Sequence, residues 1–256
     1  VGATFVYDST AEEEEEETKV KSTAFFKAVA SLGSKGPEVV AAPEAPKYHD
    51  VRIVMVDNED CFVHTLADYF RQTGADVKTY RHGAPAFAAL SDKPDLVIHS
   101  PGPGQPKEFG VPDLVRQVAD MGIPQFGVCL GLQGMVEAFG GELTVMDVPR
   151  HGKYWQLHHD GSGLFEGIAP NSRVGGYHSL LAVSDKIPDT LEVIARNEHD
   201  MVMAIRHKTL PLAAVQFHPE SILSMDDQAG LRIVENVLAT LLPEKGRNNA
   251  GEQTAA

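Results

Sequence analysis

The chain has 256 residues and a formal net charge of -14 at pH 7, with 22 lysines and arginines against 36 aspartates and glutamates. A chain this acidic lacks a basic surface for a phosphate backbone or an anionic membrane, so nucleic acid and membranes are not expected partners. No apolar stretch approaches the roughly 18 residues of a spanning helix. Hydrophobic residues make up 43% and there are two cysteines, Cys61 and Cys129, which together favour a globular cytoplasmic protein.

Residues 1–33 read as a piece of another domain. GATFVYD has the composition of a strand, and a helix follows whose first turns carry six glutamates, Glu12 to Glu17, as the helix dipole favours. Apolar residues recur at helical spacing until Gly33. One strand and one helix cannot bury that stripe, so we expect residues 1–33 to be the C-terminal fragment of an α+β domain.

The rest of the chain divides into a linker, a domain and a tail. Residues 34–50 are rich in proline and alanine and have no period, which is typical of a linker. Residues 51–242 form the predicted domain, and residues 243–256 are a predicted disordered tail. In the domain, short apolar runs alternate with helical patterns, which predicts an α/β fold with an open, mostly parallel, twisted sheet and helices on both faces.

The elements of this domain can be placed approximately. Predicted strands cover 51–57, 76–80, 95–100, 124–128 and 212–217, and predicted helices cover 61–73, 111–121, 130–139 and 227–242. The pattern becomes more β-like between about 143 and 217, with turn signals at 159–161 and 175–176. The run HHDG at 158–161 favours a hairpin turn over a zinc site.

A candidate nucleophile lies in the stretch GVCLG. Cys129 stands between Gly127 and Gly131, after an apolar strand and before a helix, which fits a strand–turn–helix elbow that raises a nucleophile at the sheet edge. Free N–H groups at the helix start favour a thiolate and can hold an oxyanion, and that of Leu130 is among them. The alternative is a small buried cysteine at a tight turn.

Two further strand ends carry suitable residues. In FHPES, His218 follows an apolar strand, and Glu220 could orient its ring as the third member of a triad. The alternative is a proline turn with a solvated glutamate. In PGPG, Gly102, Pro103 and Gly104 form bare backbone that suits close approach to a substrate carbonyl, or simply a turn. These residues and Cys129 meet at the carboxyl edge of the sheet, where ligands of such folds bind.

Four motifs in order, PGPG, GVCLGLQ, YHSL and FHPES, resemble those of the class I, triad-type glutamine amidotransferases over residues 51–242. The resemblance implies an enzyme in which Cys129, His218 and Glu220 are the catalytic triad and glutamine is hydrolysed through a thioester, with ammonia passed to a partner. It also implies glutamine and oxyanion contacts; the residues concerned are Gly102, Pro103, Gly104, Leu130, Gln133, Ser179 and Leu180.

Two positions depart from the family pattern. Many relatives have histidine where this chain has Leu132, a change that we expect to affect packing or a partner interface and not the chemistry. Relatives often carry arginine before the Tyr-His-Ser motif, where this chain has Gly176. That change removes any salt link there but leaves the backbone contacts.

Within the family, HGK, HHDG and YHSL resemble the amidotransferases that serve chorismate-using enzymes, especially anthranilate synthase. Residues 1–33 resemble the C-terminal end of the chorismate-binding synthase domain. In that family, glutamates of the last helix help to bind Mg²⁺, which points to Glu14 and Glu17, spaced i and i+3. The glutaminase domain itself needs no cofactor.

The resemblance therefore implies the glutaminase part of a fused anthranilate synthase in tryptophan biosynthesis. The partners it implies are L-glutamine, a synthase domain in the same polypeptide and, through that domain, chorismate; a homodimer of the full-length fusion is left open. Three alternatives remain: the related phenazine-type synthase, aminodeoxychorismate synthase, or a non-catalytic docking module that keeps only the fold.

Overall fold

The computed structural model of the chain describes residues 47–243, which hold one large sheet with helices on its two faces. The strands are β1 (Arg52–Asp57), β2 (Asp76–Arg81), β3 (Leu96–His99), β4 (Gln125–Val128), β5 (Leu143–His159), β6 (Arg173–Ala182), β7 (Leu191–Asn197), β8 (Val202–His207) and β9 (Leu212–Val215). The helices are α1 (Val63–Gln72), α2 (Ala84–Ala89), α3 (Val111–Asp120), α4 (Leu130–Ala138) and α5 (Ala229–Leu241). Short 3₁₀ turns occupy several of the connections.

The strand order across the sheet is β2-β1-β3-β4-β9-β8-β7-β5-β6. The pairs from β2 through β9 are parallel, and those from β9 through β6 are antiparallel. β9 therefore has a parallel neighbour on one side and an antiparallel neighbour on the other. The predicted α/β fold with an open sheet is confirmed, and its parallel half corresponds to the segment in which strands and helices alternate.

Alternation along β1 shows how the two faces are covered. Ile53 and Met55 pack into one hydrophobic cluster with residues of α1 and α5. Val54 and Val56 pack into another cluster with residues of α2 and α3. Because successive side chains of a strand point to opposite faces, a continuous apolar run such as this one is buried on both sides. The predicted covering of the sheet by helices on both faces is confirmed here.

One turn signal from the sequence is wrong. Gly175 and Gly176 lie inside β6 and not in a turn. A Cβ on Gly175 would lie 2.9 Å from Cβ of Leu223, and one on Gly176 would meet the indole ring of Trp155. These glycines are present because neighbouring side chains fill the space beside the strand, a reason that local sequence does not show.

The run HHDG also differs from its predicted hairpin. His158 and His159 belong to the end of β5, and the chain turns at Gly161, whose N–H donates to Nδ1 of His159 (3.0 Å). A 3₁₀ turn at Gly163–Phe165 separates this point from β6, so the connection is longer than a tight hairpin. Among residues 47–243 no group of three or more metal-binding side chains is arranged to hold an ion.

Several predicted features lie outside the described residues. These are the strand–helix fragment 1–33 with Glu14 and Glu17, most of the linker 34–50, and all but the first residue of the tail 243–256. Residues 47–50 form a turn in which the N–H of Tyr48 donates to the carbonyl oxygen of Thr73 (3.2 Å). No helix among the described residues has the length and apolar character needed to cross a bilayer.

Candidate active site

Cys129 sits at the junction between β4 and α4 in a backbone conformation that side chains rarely adopt. Its φ is 53° and its ψ is -100°, and it caps the N-terminus of the helix. A non-glycine residue with positive φ is strained and persists only where the surrounding structure holds it. The geometry is that of the strand–turn–helix elbow expected from GVCLG.

Two glycines allow this turn to close. A Cβ on Gly127 would lie 2.7 Å from the carbonyl carbon of Gly131, and a Cβ on Gly131 would collide with the carbonyl oxygen of His99. α4 therefore starts in direct backbone contact with β3 and β4. This contact fixes the height at which Cys129 leaves the sheet.

The surroundings of the thiol come largely from β9 and the residues that follow it. The N–H of Cys129 donates to the carbonyl oxygen of Val215 at 2.8 Å, which locks the two strands in register. Nε2 of Gln216 lies 3.5 Å from Sγ of Cys129. Cys129 itself is 5% exposed.

His218 and Glu220 form a buried pair beside the cysteine. Nδ1 of His218 lies 2.7 Å from Oε1 of Glu220, and neither residue is more than 2% exposed. The N–H of His218 donates to the carbonyl oxygen of Gly175 (3.0 Å), and Oγ of Ser224 donates to the carbonyl oxygen of His218 (2.6 Å). Backbone contacts thus hold the histidine in place on both sides.

Electrostatics favour the protonated ring. Burial lowers the pKa of His218, but the Glu220 carboxylate and the neighbouring Cys129 outweigh burial and hold that pKa well above its ordinary value. Nε2 of the ring makes no hydrogen bond within residues 47–243, yet the ring is close enough to Cys129 for the thiol to affect its pKa. An imidazolium beside the sulfur stabilises a thiolate.

Two aromatic rings enclose the histidine. Phe62 and Tyr177 lie with their ring centroids 5.3 Å and 5.0 Å from that of His218, and 5.1 Å from each other. The hydroxyl of Tyr177 is 2.9 Å from Oγ of Ser221, one residue beyond Glu220. The rings keep water from the His218–Glu220 pair, which strengthens their electrostatic interaction.

A cavity of about 320 Å³ opens onto Cys129. It brings together six of the residues expected to contact glutamine, namely Gly102, Pro103, Gly104, Gln133, Ser179 and Leu180. The remaining lining residues were not singled out from the sequence; they are Asp60, Cys61, Phe62, His151, Tyr177 and His178. Leu130 does not line the cavity, but its side chain lies beneath Gly102, where a Cβ would approach it to 2.5 Å.

The PGPG segment forms one wall of the cavity. Gly102 is in close contact with the end of β1, since a Cβ there would lie 2.7 Å from the carbonyl oxygen of Asn58. Gly104 has a φ of 63°, and a Cβ there would collide with the Glu108 side chain. Glycine is therefore required at both positions, once for space and once for backbone conformation.

The opposite wall is the segment of β6 that contains YHSL. The carbonyl oxygen of Leu180 accepts hydrogen bonds from Nδ1 of His178 (2.9 Å) and from Nε2 of Gln133 (3.2 Å). Burial lowers the pKa of His178 to about 4, so its ring is neutral and Nδ1 carries the proton. Ser179 is held through Oγ, which lies 3.0 Å from Nε2 of His151. The backbone at Ser179 and Leu180 is thus positioned by side chains from two other elements.

Sequence reasoning missed Gln216, His178 and the aromatic pair. Gln216 and His178 belong to motifs that were recognised, but a buried glutamine or histidine gives no local sign of what it contacts. Phe62 stands one residue after Cys61 at the start of α1, where the sequence shows only the beginning of a helix. The one available signal was position, since each follows or ends a strand at the carboxyl edge or faces that edge.

The two departures from the family pattern have structural counterparts. Leu132 is fully buried in the cluster formed by α3, α4 and the sheet, which agrees with an effect on packing and excludes an exposed interface position within the described chain. At Gly176, the space that a longer side chain would need holds the indole ring of Trp155. The family's arginine could not be placed here without moving that ring.

Residues 54–236 match the family model for glutamine amidotransferase class-I. The chain belongs to this family of enzymes, as its four ordered motifs imply. Its fold is also that of a crystal structure of a putative GMP synthase protein from Thermoplasma acidophilum, with a TM-score of 0.66, 24% identity and coverage of 75% of this chain and 94% of that one.

Curated relatives place the chain more closely within the family. It is 47% identical to an anthranilate synthase of Azospirillum brasilense over 241 residues, covering 94% of this chain and 33% of that protein. It is 40% identical to aminodeoxychorismate synthase component 2 of Escherichia coli over 188 residues, covering 73% of this chain and 98% of that protein. The chain thus spans about a third of the first relative and nearly all of the second.

Proposed function

We propose that this chain releases ammonia from L-glutamine and supplies it to a synthase that converts chorismate to anthranilate and pyruvate, in tryptophan biosynthesis. The observation that carries the proposal is the meeting of a strained Cys129 with the buried His218–Glu220 pair at the edge of a cavity of about 320 Å³. A thiol, a base and an acid that orients the base are what acyl transfer from an amide needs.

In the first half of the reaction, the sulfur of Cys129 attacks the side-chain amide carbon of glutamine. The carbon–nitrogen bond of the tetrahedral intermediate breaks, and the imidazolium of His218 gives its proton to the leaving nitrogen, which departs as ammonia. Glu220 keeps the ring oriented through Nδ1 and balances its positive charge. A γ-glutamyl thioester remains on Cys129.

In the second half, water attacks the thioester. The now neutral His218 accepts a proton from that water, the carbon–sulfur bond breaks and glutamate leaves. The sulfur returns as a thiolate facing an imidazolium, the state favoured by the raised pKa of His218. No external proton donor or oxidant is needed.

The remaining site residues hold the substrate in this proposal. Bare backbone at Gly102, Pro103 and Gly104, with the N–H of Leu130 at the start of α4, faces the developing oxyanion. Gln133 contacts glutamine from the helix. Ser179 and Leu180 bind the α-amino and α-carboxyl groups through their backbone, which His178 and His151 hold in position.

The choice of anthranilate over other products rests on sequence similarity. The alignment with the Azospirillum brasilense anthranilate synthase covers 94% of this chain and so extends well beyond residues 54–236. The similarity to the Escherichia coli aminodeoxychorismate synthase component is restricted to 73% of the chain. Both relatives carry synthase in their names, which supports a synthase as the partner that receives the ammonia.

The decisive experiment compares two nitrogen sources. The full chain, supplied with a chorismate-binding synthase component, is assayed for anthranilate formation with glutamine and with ammonium salt, in the wild type and in Cys129→Ser. We expect Cys129→Ser to abolish the glutamine-dependent reaction and to leave the ammonia-dependent reaction intact. Loss of both reactions together would contradict the proposed transfer of ammonia from one site to the other.

Product analysis separates the alternatives. Mass spectrometry distinguishes anthranilate from aminodeoxychorismate and from a phenazine precursor in the same assay. A thiol-directed glutamine analogue tests the non-catalytic alternative: it should label the wild type and Cys61→Ser but not Cys129→Ser. Failure to label Cys129 in the presence of the synthase component would favour a docking module.

A further inference from the structure

Gln216 is a fully buried polar residue that the mechanism above does not use. It follows β9 directly and stands two residues before His218. Its Nε2 lies 3.5 Å from Sγ of Cys129, the reacting atom of the proposed nucleophile. Its Oε1 lies 3.4 Å from Nε2 of Gln133.

Hydrogen-bond partners determine which end of the Gln216 amide faces the sulfur. The carbonyl oxygen of Leu180 can only accept, so the group of Gln133 that lies 3.2 Å from it must be the amide nitrogen. That nitrogen has a second hydrogen, which it donates to Gln216, so the atom of Gln216 on this side is oxygen. The other end of the Gln216 amide, the N–H₂ group, therefore points at Cys129.

An N–H donor at the sulfur has a definite chemical effect. A hydrogen bond stabilises the charged form of its acceptor more than the neutral form, so a donor directed at sulfur favours thiolate over thiol. Burial strengthens the effect because the competing water is excluded. The imidazolium of His218 alone would leave the other side of the sulfur without a polar contact from the end of β9.

We propose that Gln216 is a further catalytic residue, whose side-chain N–H holds the sulfur of Cys129 as a thiolate in position for attack. The inference rests on the proposed function only for the identity of the substrate. Gln133 then has a second task beside its expected contact with glutamine, because its amide fixes the orientation of Gln216. The backbone of the cavity wall, through Leu180, is in this way connected to the charge state of the nucleophile.

The test measures the charge state of Cys129 directly. In the full chain with Cys61→Ser, Cys129 is the remaining cysteine of the two, and its rate of alkylation by iodoacetamide follows the thiolate fraction across a pH series. Gln216→Met keeps the length of the side chain but has no donor. We expect the midpoint of the alkylation profile to move up by about one pH unit, the scale of one hydrogen bond to a charged group.

A second variant keeps the experiment decisive if Gln216→Met does not fold. Gln216→Glu keeps the shape of the amide and replaces the donor with a negatively charged acceptor, so the midpoint should rise further. Gln125→Met is the matched control: Gln125 is also a buried glutamine, but its partners are His99 and Val115 and not Cys129. It should lower the melting temperature without moving the midpoint.

The outcomes separate this inference from the proposed function. A midpoint in both Gln216 variants within 0.3 unit (about a third of the expected shift) of the Cys61→Ser parent overturns the role of Gln216, whatever the substrate is. Glutamate formation gives the second readout: at neutral pH, kcat of Gln216→Met should fall about tenfold with KM little changed, and it should recover at higher pH. A parent that forms no glutamate contradicts the proposed function, while its alkylation profile still decides the role of Gln216.

Discussion

Nδ1 of His218 lies 2.7 Å from Oε1 of Glu220, and this contact joins two side chains that are both buried. The second carboxylate oxygen of Glu220, Oε2, has no hydrogen-bond partner within residues 47–243. The negative charge is therefore directed almost entirely at the ring. An acid in this arrangement fixes the tautomer of the histidine and stabilises its protonated form.

Glu220→Gln tests this relationship through activity. The substitution keeps the shape of the side chain and removes its charge, so the pKa of His218 should fall toward the value that burial alone gives. We expect the rate of glutamate formation to drop by about 100-fold, the usual scale for loss of an oriented general base. A steady-state assay at several pH values measures it, and a rate within twofold of the wild type would contradict the orienting role.

The same variant makes a prediction about stability. Because the pKa of His218 is raised in the folded state, the pair stabilises the fold fully below the ordinary histidine value of about 6.5 and loses this contribution as pH rises through the raised pKa. Below pH about 6.5 we expect Glu220→Gln to cost about 2 kcal/mol, or a melting temperature lower by roughly 6 °C. The difference should shrink at alkaline pH, which calorimetry at two pH values can determine.

His99 predicts a pH dependence of the opposite sign. It is fully buried in β3 with Nε2 2.9 Å from Oε1 of Gln125, and burial lowers its pKa to about 4. The unfolded chain binds the proton that the folded chain refuses, so stability falls as pH drops from about 6.5 toward 4. Relative to the wild type, His99→Gln should lose about 2 kcal/mol less between pH 7 and pH 4.5. Denaturant titrations measure this, and the exposed His64→Gln should show no such difference.

Gly131 should be the least tolerant glycine of the elbow. A Cβ there meets the carbonyl oxygen of His99, which is backbone and cannot turn aside, so Gly131→Ala must push α4 away from β3. We expect a loss of about 3 kcal/mol and a large loss of glutamine hydrolysis, since Cys129 moves with the helix. Gly140→Ala is the control: its φ is +93° but nothing lies near its Cβ, so it should cost about 1 kcal/mol and keep activity.

Trp155 and Gly176 should behave as a coupled pair. Gly176→Ala places a Cβ 2.5 Å from Cδ1 of Trp155 and should cost about 2 kcal/mol by overpacking. In a Trp155→Leu background the same change should cost much less, because the indole ring is gone. A double-mutant cycle in urea should give a coupling energy of at least about 1 kcal/mol, and additive effects would rule out the contact as the reason for glycine.

The parallel half of the fold could be predicted because each buried strand is an uninterrupted apolar run. The strand expected at 51–57 is observed at Arg52–Asp57, and the helix expected at 130–139 at Leu130–Ala138. α2 was missed since APAFAA is short, has a proline in its first turn and shows no repeating apolar stripe. Local pattern determines an element only when the element is long enough to show its period.

The candidate site divides in the same way. Cys129, His218 and the PGPG segment could be proposed because strand ends, glycines and chemically reactive side chains coincide in the sequence. Gln216 could not, because its importance depends on which atom lies across from it beyond the end of β4, 87 positions away. Glu14 and Glu17 stay a prediction, as they precede the described part of the chain.

The register of β4 with β9 has a consequence for how the domain comes to be active. The nucleophile is present in the chain long before the segment that supplies Gln216, His218 and Glu220 has been synthesised, and β5 to β8 must be accommodated between the two strands. Contacts across so long a separation close late, because the entropy of the intervening loop opposes them. A partly folded or truncated chain therefore carries Cys129 as an ordinary thiol, and reactivity arrives only with the strand that completes the sheet.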